Sequence, residues 1–128
     1  MGVDVVLSNL SGVPIYEQIK TQLKAAILRG EVAEGEALPS IRALARDLQV
    51  SVITTTRAYS DLAAEGFVVN VPGKGSYVLP RDPALVREQV VGEVEQAFIE
   101  GVRKARMVGL TDAELHDVLG SLLRSEEQ

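Results

Sequence analysis

Apolar positions between Ile15 and Leu62 recur at intervals of three and four, the spacing of one face of an α-helix. Ile15, Ile19, Leu23, Ala26 and Ile27 form the first stripe. Pro14 fits the first turn of this helix, where its missing N–H costs nothing, and Gly30 supplies the stop. Ile41, Leu44, Ala45 and Leu48 mark a short second helix with Ser40 as its N-cap. Between these two, Glu31, Glu34 and Glu36 surround Gly35, and residues 31–37 read as a loop. Gln49-Val50 leaves only a tight connection before Ser51, the N-cap of a third helix that runs to about Glu65 and stops at Gly66.

After Gly66 the period changes from helical to two. Phe67, Val68, Val69, Asn70 and Val71 favour a strand, Pro72-Gly73-Lys74-Gly75 a turn, and Ser76, Tyr77, Val78 and Leu79 a returning strand. Pro80 and Pro83 punctuate the next boundary. A long helix is predicted from Ala84, with Val86, Val90, Val94, Ala97 and Val102 on one side and Val91 and Phe98 widening the stripe. Gly109-Leu110 breaks it. Thr111-Asp112-Ala113-Glu114 has the spacing of a capping box and opens a last helix with Leu115, Val118, Leu119 and Leu122 along one side. Residues 1–12 lack a helical period: Val5-Val6-Leu7 fits a short strand or a packed arm, and Ser11-Gly12 is a break. The pattern predicts a mainly α chain with one small β-hairpin. It divides into an arm (1–12), a winged helix-turn-helix (13–80) and a two-helix tail (81–128).

Composition narrows the chemistry. The 128 residues include no cysteine and one histidine, so neither a disulfide framework nor a cysteine zinc site is expected, and no metal site is predicted. His116 lies off the apolar stripe and reads as a solvated side chain. No apolar run approaches the roughly 18 residues that span a bilayer. Met1-Gly2-Val3-Asp4 has no basic patch ahead of an apolar stretch, so a cytoplasmic protein is expected. No catalytic constellation is visible, and Gly73-Lys74-Gly75 lacks the long glycine-rich loop of a phosphate-binding motif. Neither an enzyme nor a cofactor is expected. The net charge of −5 is uneven: residues 81–128 carry six Lys/Arg against ten Asp/Glu, and residues 1–80 carry seven against eight. The acidity is concentrated in the tail, and what matters for a polyanionic partner is where the cations point.

In a helix-turn-helix the first helix buttresses the second, whose exposed face enters the major groove. Ala45 is small enough for the crossing, and Leu44, Leu48, Val50 and Ala58 supply the contact. The turn position often holds glycine; here it is Gln49, which is strained if its φ is positive. On the third helix Thr55, Ala58, Tyr59 and Leu62 should face the core. Ser51, Val52, Ile53, Thr54, Thr56 and Arg57 then lie at its N-terminal end, where hydroxyls can meet phosphates or base edges. Exposed Val52 or Ile53 could touch a thymine methyl. Arg42 opens the second helix against the helix dipole, which points to an anionic partner outside the fold, and Arg46 follows one turn later. Gly73, Lys74 and Gly75 form a narrow cationic hairpin tip.

These residues resemble the GntR family of bacterial regulators. The resemblance covers residues 14–79 and is carried by Leu38-Pro39-Ser40-Ile41-Arg42, Leu44-Ala45, Thr54, Arg57-Ala58-Tyr59, Leu62, Glu65-Gly66 and Gly73-Lys74-Gly75-Ser76-Tyr77-Val78. It implies a transcriptional regulator, expected to be a repressor, in which Arg42, the start of the third helix and the wing tip contact double-stranded operator DNA. Val52 and Ile53 depart from the family pattern, standing where polar, basic or proline residues are usual. The short tail resembles the YtrA-type branch, which implies a homodimer; the apolar stripe of Val86, Val90, Val94, Ala97, Phe98, Val102, Leu115, Val118, Leu119 and Leu122 is expected to form its seam rather than an intramolecular core alone. That symmetry would match a near-palindromic operator. Two other readings remain open: a winged-helix module that binds protein rather than DNA, suggested by the low charge of residues 1–80, and a small-molecule effector site beside the tail.

Overall fold

The computed structural model describes residues 3–126, so the first two residues of the arm and the last two of the tail lie outside the described residues. Five helices and one hairpin follow in the order α1 (Ile15–Leu28), α2 (Ile41–Leu48), α3 (Val52–Ala64), β1 (Val68–Val71), β2 (Gly75–Val78), α4 (Pro83–Met107) and α5 (Asp112–Glu126). They form two compact units, one ending at Arg81 and the other beginning at Asp82.

In the first unit α3 packs against α1, α2 and β1. Its core-facing side carries Thr55, Ala58, Tyr59 and Leu62, all fully buried, as the helical period requires. They meet Ile19, Leu23 and Ile27 of α1, Leu44 of α2, and Phe67, Val68 and Val78 of the hairpin. Thr55 tolerates burial because its hydroxyl donates to the Ser51 carbonyl at 3.1 Å. Tyr59 donates its phenol O–H to the Pro39 carbonyl at 2.6 Å, tying α3 to the entrance of α2. Burial pushes the Tyr59 phenol well above its ordinary pKa of 10, so it remains a donor.

The hairpin is antiparallel, pairing Val68 with Val78 and Val71 with Gly75. It is one residue tighter at each outer end than the sequence pattern suggests: Phe67 and Leu79 flank the strands, and Gly75 belongs to β2. Pro72 and Gly73 occupy the centre of a turn closed by the Lys74 N–H on the Val71 carbonyl at 3.0 Å. Gly73 has φ 76°, the positive value that the third residue of a type II turn demands.

Two features differ from the expected outline. The segment expected as a plain loop is lashed to β2: Ala37 bridges Tyr77, and Gly35, Leu38 and Val78 donate N–H groups across the seam. One bridge is too short to show alternation, and the flanking glutamates and glycine suppress the strand signal. Residues 3–7 form a packed arm rather than a strand, and residues 8–11 are exposed. Val3, Val5 and Leu7 turn toward the core, while Gln22 accepts from the Val6 N–H at 2.8 Å and returns a bond to its carbonyl at 2.7 Å. Gln18 does the same for Ser8, at 2.8 Å in both directions.

In the second unit α4 begins one residue earlier than expected. Pro83 is accepted in its first turn because an N–H there would have no intrahelical partner, and Asp82 caps the Ala84 N–H at 2.9 Å. The capping box at the head of α5 forms in both directions: Glu114 N–H to Thr111 Oγ1 at 3.2 Å, and Thr111 N–H to Glu114 Oε1 at 3.0 Å. Arg106 braces the intervening turn through the Leu110 carbonyl and Asp112. His116 is exposed.

Candidate nucleic-acid interface

The helix-turn-helix is assembled from α2, the Gln49-Val50 turn and α3. Ser40 accepts the Ala43 N–H at 3.1 Å and starts α2; Ser51 accepts the Thr54 N–H at 3.0 Å and starts α3. The turn closes when Gln49 adopts φ 58°, ψ 44°, and Val50 then donates to the Ala45 carbonyl at 3.0 Å. Leu48 and Val50 pack against the core beside the turn, so the angle between α2 and α3 is set by burial as well as by backbone.

On α3 the solvent side carries Ile53, Thr56, Arg57 and Ser60, all exposed, at the i, i+3, i+4, i+7 spacing of one stripe. Ser60 adds to the face expected from the sequence, because the period that buries Thr55 and Tyr59 also places it there. Val52 is exposed at the front edge. The hydroxyls of Ser51 and Thr54 are engaged with each other at 2.8 Å within the cap, and Thr54 is half-buried. Their first task is therefore to hold the helix end in shape.

Arg57 lies over the ring of Tyr16, its guanidinium carbon 3.7 Å from the ring centroid. Tyr16 is a residue that sequence reasoning missed. It lies within the stretch 14–79 that carries the resemblance, yet only the fold brings α1 beside α3. A guanidinium stacked on a ring by its face keeps its in-plane N–H donors available at the edge.

Arg42 and the wing tip share one surface. An open depression of about 510 Å³ is lined by Ser40, Ile41 and Arg42 on one side and residues 70–76, including Gly73, Lys74 and Gly75, on the other. The hairpin is held in that position by Asn70, which donates to the Tyr59 carbonyl at 3.2 Å and accepts from Ser76 at 2.6 Å. Asn70 is a second residue without an advance signal. Among the described residues no carboxylate forms an ion pair with Arg42, Arg57 or Lys74. Asp47 lies 3.7 Å from Arg46, both well exposed, and Glu36 is taken by the Ala33 N–H. Carboxylates elsewhere are paired where structure needs them: Glu65 meets Lys20 at 3.1 Å and Lys24 at 3.2 Å, on the α1–α3 seam.

Among the described residues no group of His, Asp or Glu side chains could hold a metal ion, and no helix is long and apolar enough to cross a membrane. Exposed cations that have no carboxylate partner among the described residues, with Arg42 beside a glycine-flanked tip and Arg57 on the exposed side of α3, are the equipment for a phosphate-rich duplex.

Comparisons with known proteins agree with that geometry. Residues 15–78 match the family described as bacterial regulatory proteins, gntR family. The chain is 30% identical to the HTH-type transcriptional repressor YtrA of Bacillus subtilis (strain 168) over 107 residues, 84% of this chain and 82% of that protein. A solved structure titled as a transcriptional antiterminator from Listeria monocytogenes EGD-e superposes with a TM-score of 0.74 at 25% identity, covering 95% of this chain and 91% of that one. The DNA-binding domain of AraR, solved in complex with operator ORE1, superposes with a TM-score of 0.51 at 27% identity, covering 59% of this chain and 92% of that one. With a family match over half its length and a winged helix-turn-helix carrying unpaired cations, this chain belongs to the GntR family, in the YtrA-like branch, and is a DNA-binding transcriptional regulator.

Proposed function

We propose that the protein is a cytoplasmic repressor that grips a near-palindromic operator as a homodimer, one winged unit on each half-site. The observation that carries this reading is the shared surface of Arg42 and Lys74, which form no ion pair with a carboxylate among the described residues. In this reading Arg42 and Lys74 hold phosphates, with Arg46, Ser51, Gly73 and Gly75 at the margins. The stripe of Val52, Ile53, Thr56 and Arg57, with Thr54 at its edge, enters the major groove. The function is one of binding, with no catalytic step assigned to the chain.

The tail supports the dimer. α5 makes no extensive packing along α4, so a single copy leaves the apolar sides of both helices in solvent. Phe98 is 56% and Leu122 60% exposed, and Val94, Ala97, Val102, Val118 and Leu119 are exposed as well; Val86, Val90 and Leu115 are half-buried. Surface of this kind is stable in water when a second copy covers it.

Fluorescence anisotropy on duplexes selected from a random pool tests the proposal. Affinity is expected to fall steeply with salt as counterions are released. Arg42→Ala should weaken binding by about tenfold and flatten the salt dependence by about one phosphate contact. Affinity that is indifferent to both salt and Arg42 rules the reading out.

A further inference from the structure

We propose that Ile53 reads the 5-methyl group of a thymine, so that each operator half-site carries a thymine recognised by hydrophobic contact rather than by hydrogen bonds. The inference rests on α3 being the recognition helix and deepens that reading. Ile53 is 82% exposed, twice the 41% of Val52, and it heads the stripe shared with Thr56, Arg57 and Ser60. The fold gains nothing from an isoleucine there. The side chain contributes to no core, and isoleucine is a weaker helix former than alanine. Its neighbour one turn on, Arg57, is braced on Tyr16, and among the described residues no carboxylate forms an ion pair with it, so this apolar group stands beside an available cation.

Chemistry then selects the partner. Base edges in the major groove present donors and acceptors, and the projecting apolar group among them is the thymine methyl. An isoleucine cannot hydrogen-bond. Set against guanine or adenine it would desolvate polar atoms and return nothing, whereas against thymine it buries carbon on carbon. Ile53 therefore acts as a specificity-determining residue, with affinity supplied by the surrounding cations.

Deoxyuridine isolates this contact, because it removes the methyl and keeps the base pair. The full chain first selects duplexes from a random pool; each thymine of the enriched half-site is then replaced singly by deoxyuridine. At one or two positions per half-site, wild-type affinity should fall about fourfold, the effect of one buried carbon. Ile53→Ala should bind the thymine duplex about as weakly as wild type binds the deoxyuridine duplex, and should not distinguish the two. Ile53→Val should retain the discrimination. Wild-type affinity unchanged at every deoxyuridine, or full methyl sensitivity retained in Ile53→Ala, overturns the proposal and leaves DNA binding by α3 standing. A pool that yields no enriched sequence removes the recognition-helix reading, and this proposal with it.

Discussion

Gln49 shows how a single residue holds the geometry of the helix-turn-helix. Among the described residues it is the sole non-glycine with positive φ. Gly30, Gly66 and Gly109 occupy the equivalent stop positions behind α1, α3 and α4. A side chain in the left-handed region costs roughly 1–2 kcal/mol, partly offset by the greater unfolded-state freedom of glycine. Gln49→Gly is therefore expected to stabilise the protein by about 0.5–1 kcal/mol in urea unfolding; a loss of stability would show that the Gln49 side chain is itself needed. Glu65 sets a pH dependence. Burial alone would raise its pKa, but its bonds to Lys20 and Lys24 outweigh that and hold the carboxyl below its ordinary value of 4.5. A lowered carboxylate contributes stability above about pH 4.5, lost as the pH falls through the folded-state value. Glu65→Gln should lower stability at pH 7 by about 1 kcal/mol and show a shallower acid slope in thermal unfolding. Equal slopes for the two proteins would mean that the pair does not titrate with folding.

At the scale of elements, the arm is held to α1 by two glutamine side chains that imitate a β-ladder. Each carboxamide offers one acceptor and one donor, and each satisfies both backbone groups of one arm residue. Gln22→Ala should therefore expose the Val6 N–H to solvent exchange and cost about 1 kcal/mol. Amide exchange at Val6 that remains slow in this variant would assign the docking of the arm to Val3, Val5 and Leu7 alone. The hairpin is positioned similarly, by Asn70 reaching the Tyr59 carbonyl and by the single bridge from Ala37. Through these contacts a two-stranded ribbon, marginal by itself, becomes a fixed wing.

At the scale of the whole molecule, the prediction concerns the exposed sides of α4 and α5. A glutamate at position 98 would place charge in the proposed seam, where burial of an unpaired carboxylate is strongly unfavourable. Phe98→Glu should sediment as a monomer while its circular dichroism remains helical. Its affinity for a two-half-site duplex should fall at least tenfold, because the second winged unit no longer binds as part of the same particle. A dimeric Phe98→Glu protein would place the seam elsewhere.

The sequence alone determined the local architecture. Helix limits follow from Ser40, Ser51, Thr111 and the glycine stops, and the buried side of α3 follows from the spacing of Thr55, Ala58, Tyr59 and Leu62. These signals are legible because caps and amphipathic periods act between residues only a few positions apart. Arg42 and Lys74 stand out by motif and charge, but their place in one depression is a property of the packed chain. The stack of Arg57 on Tyr16, the grip of Gln18 and Gln22 on the arm, and the pairing of Ala37 with Tyr77 were decided by tertiary structure alone. Each joins residues from separate segments through one or two contacts, which leave no period in the chain and arise only when burial of the common core brings the segments together.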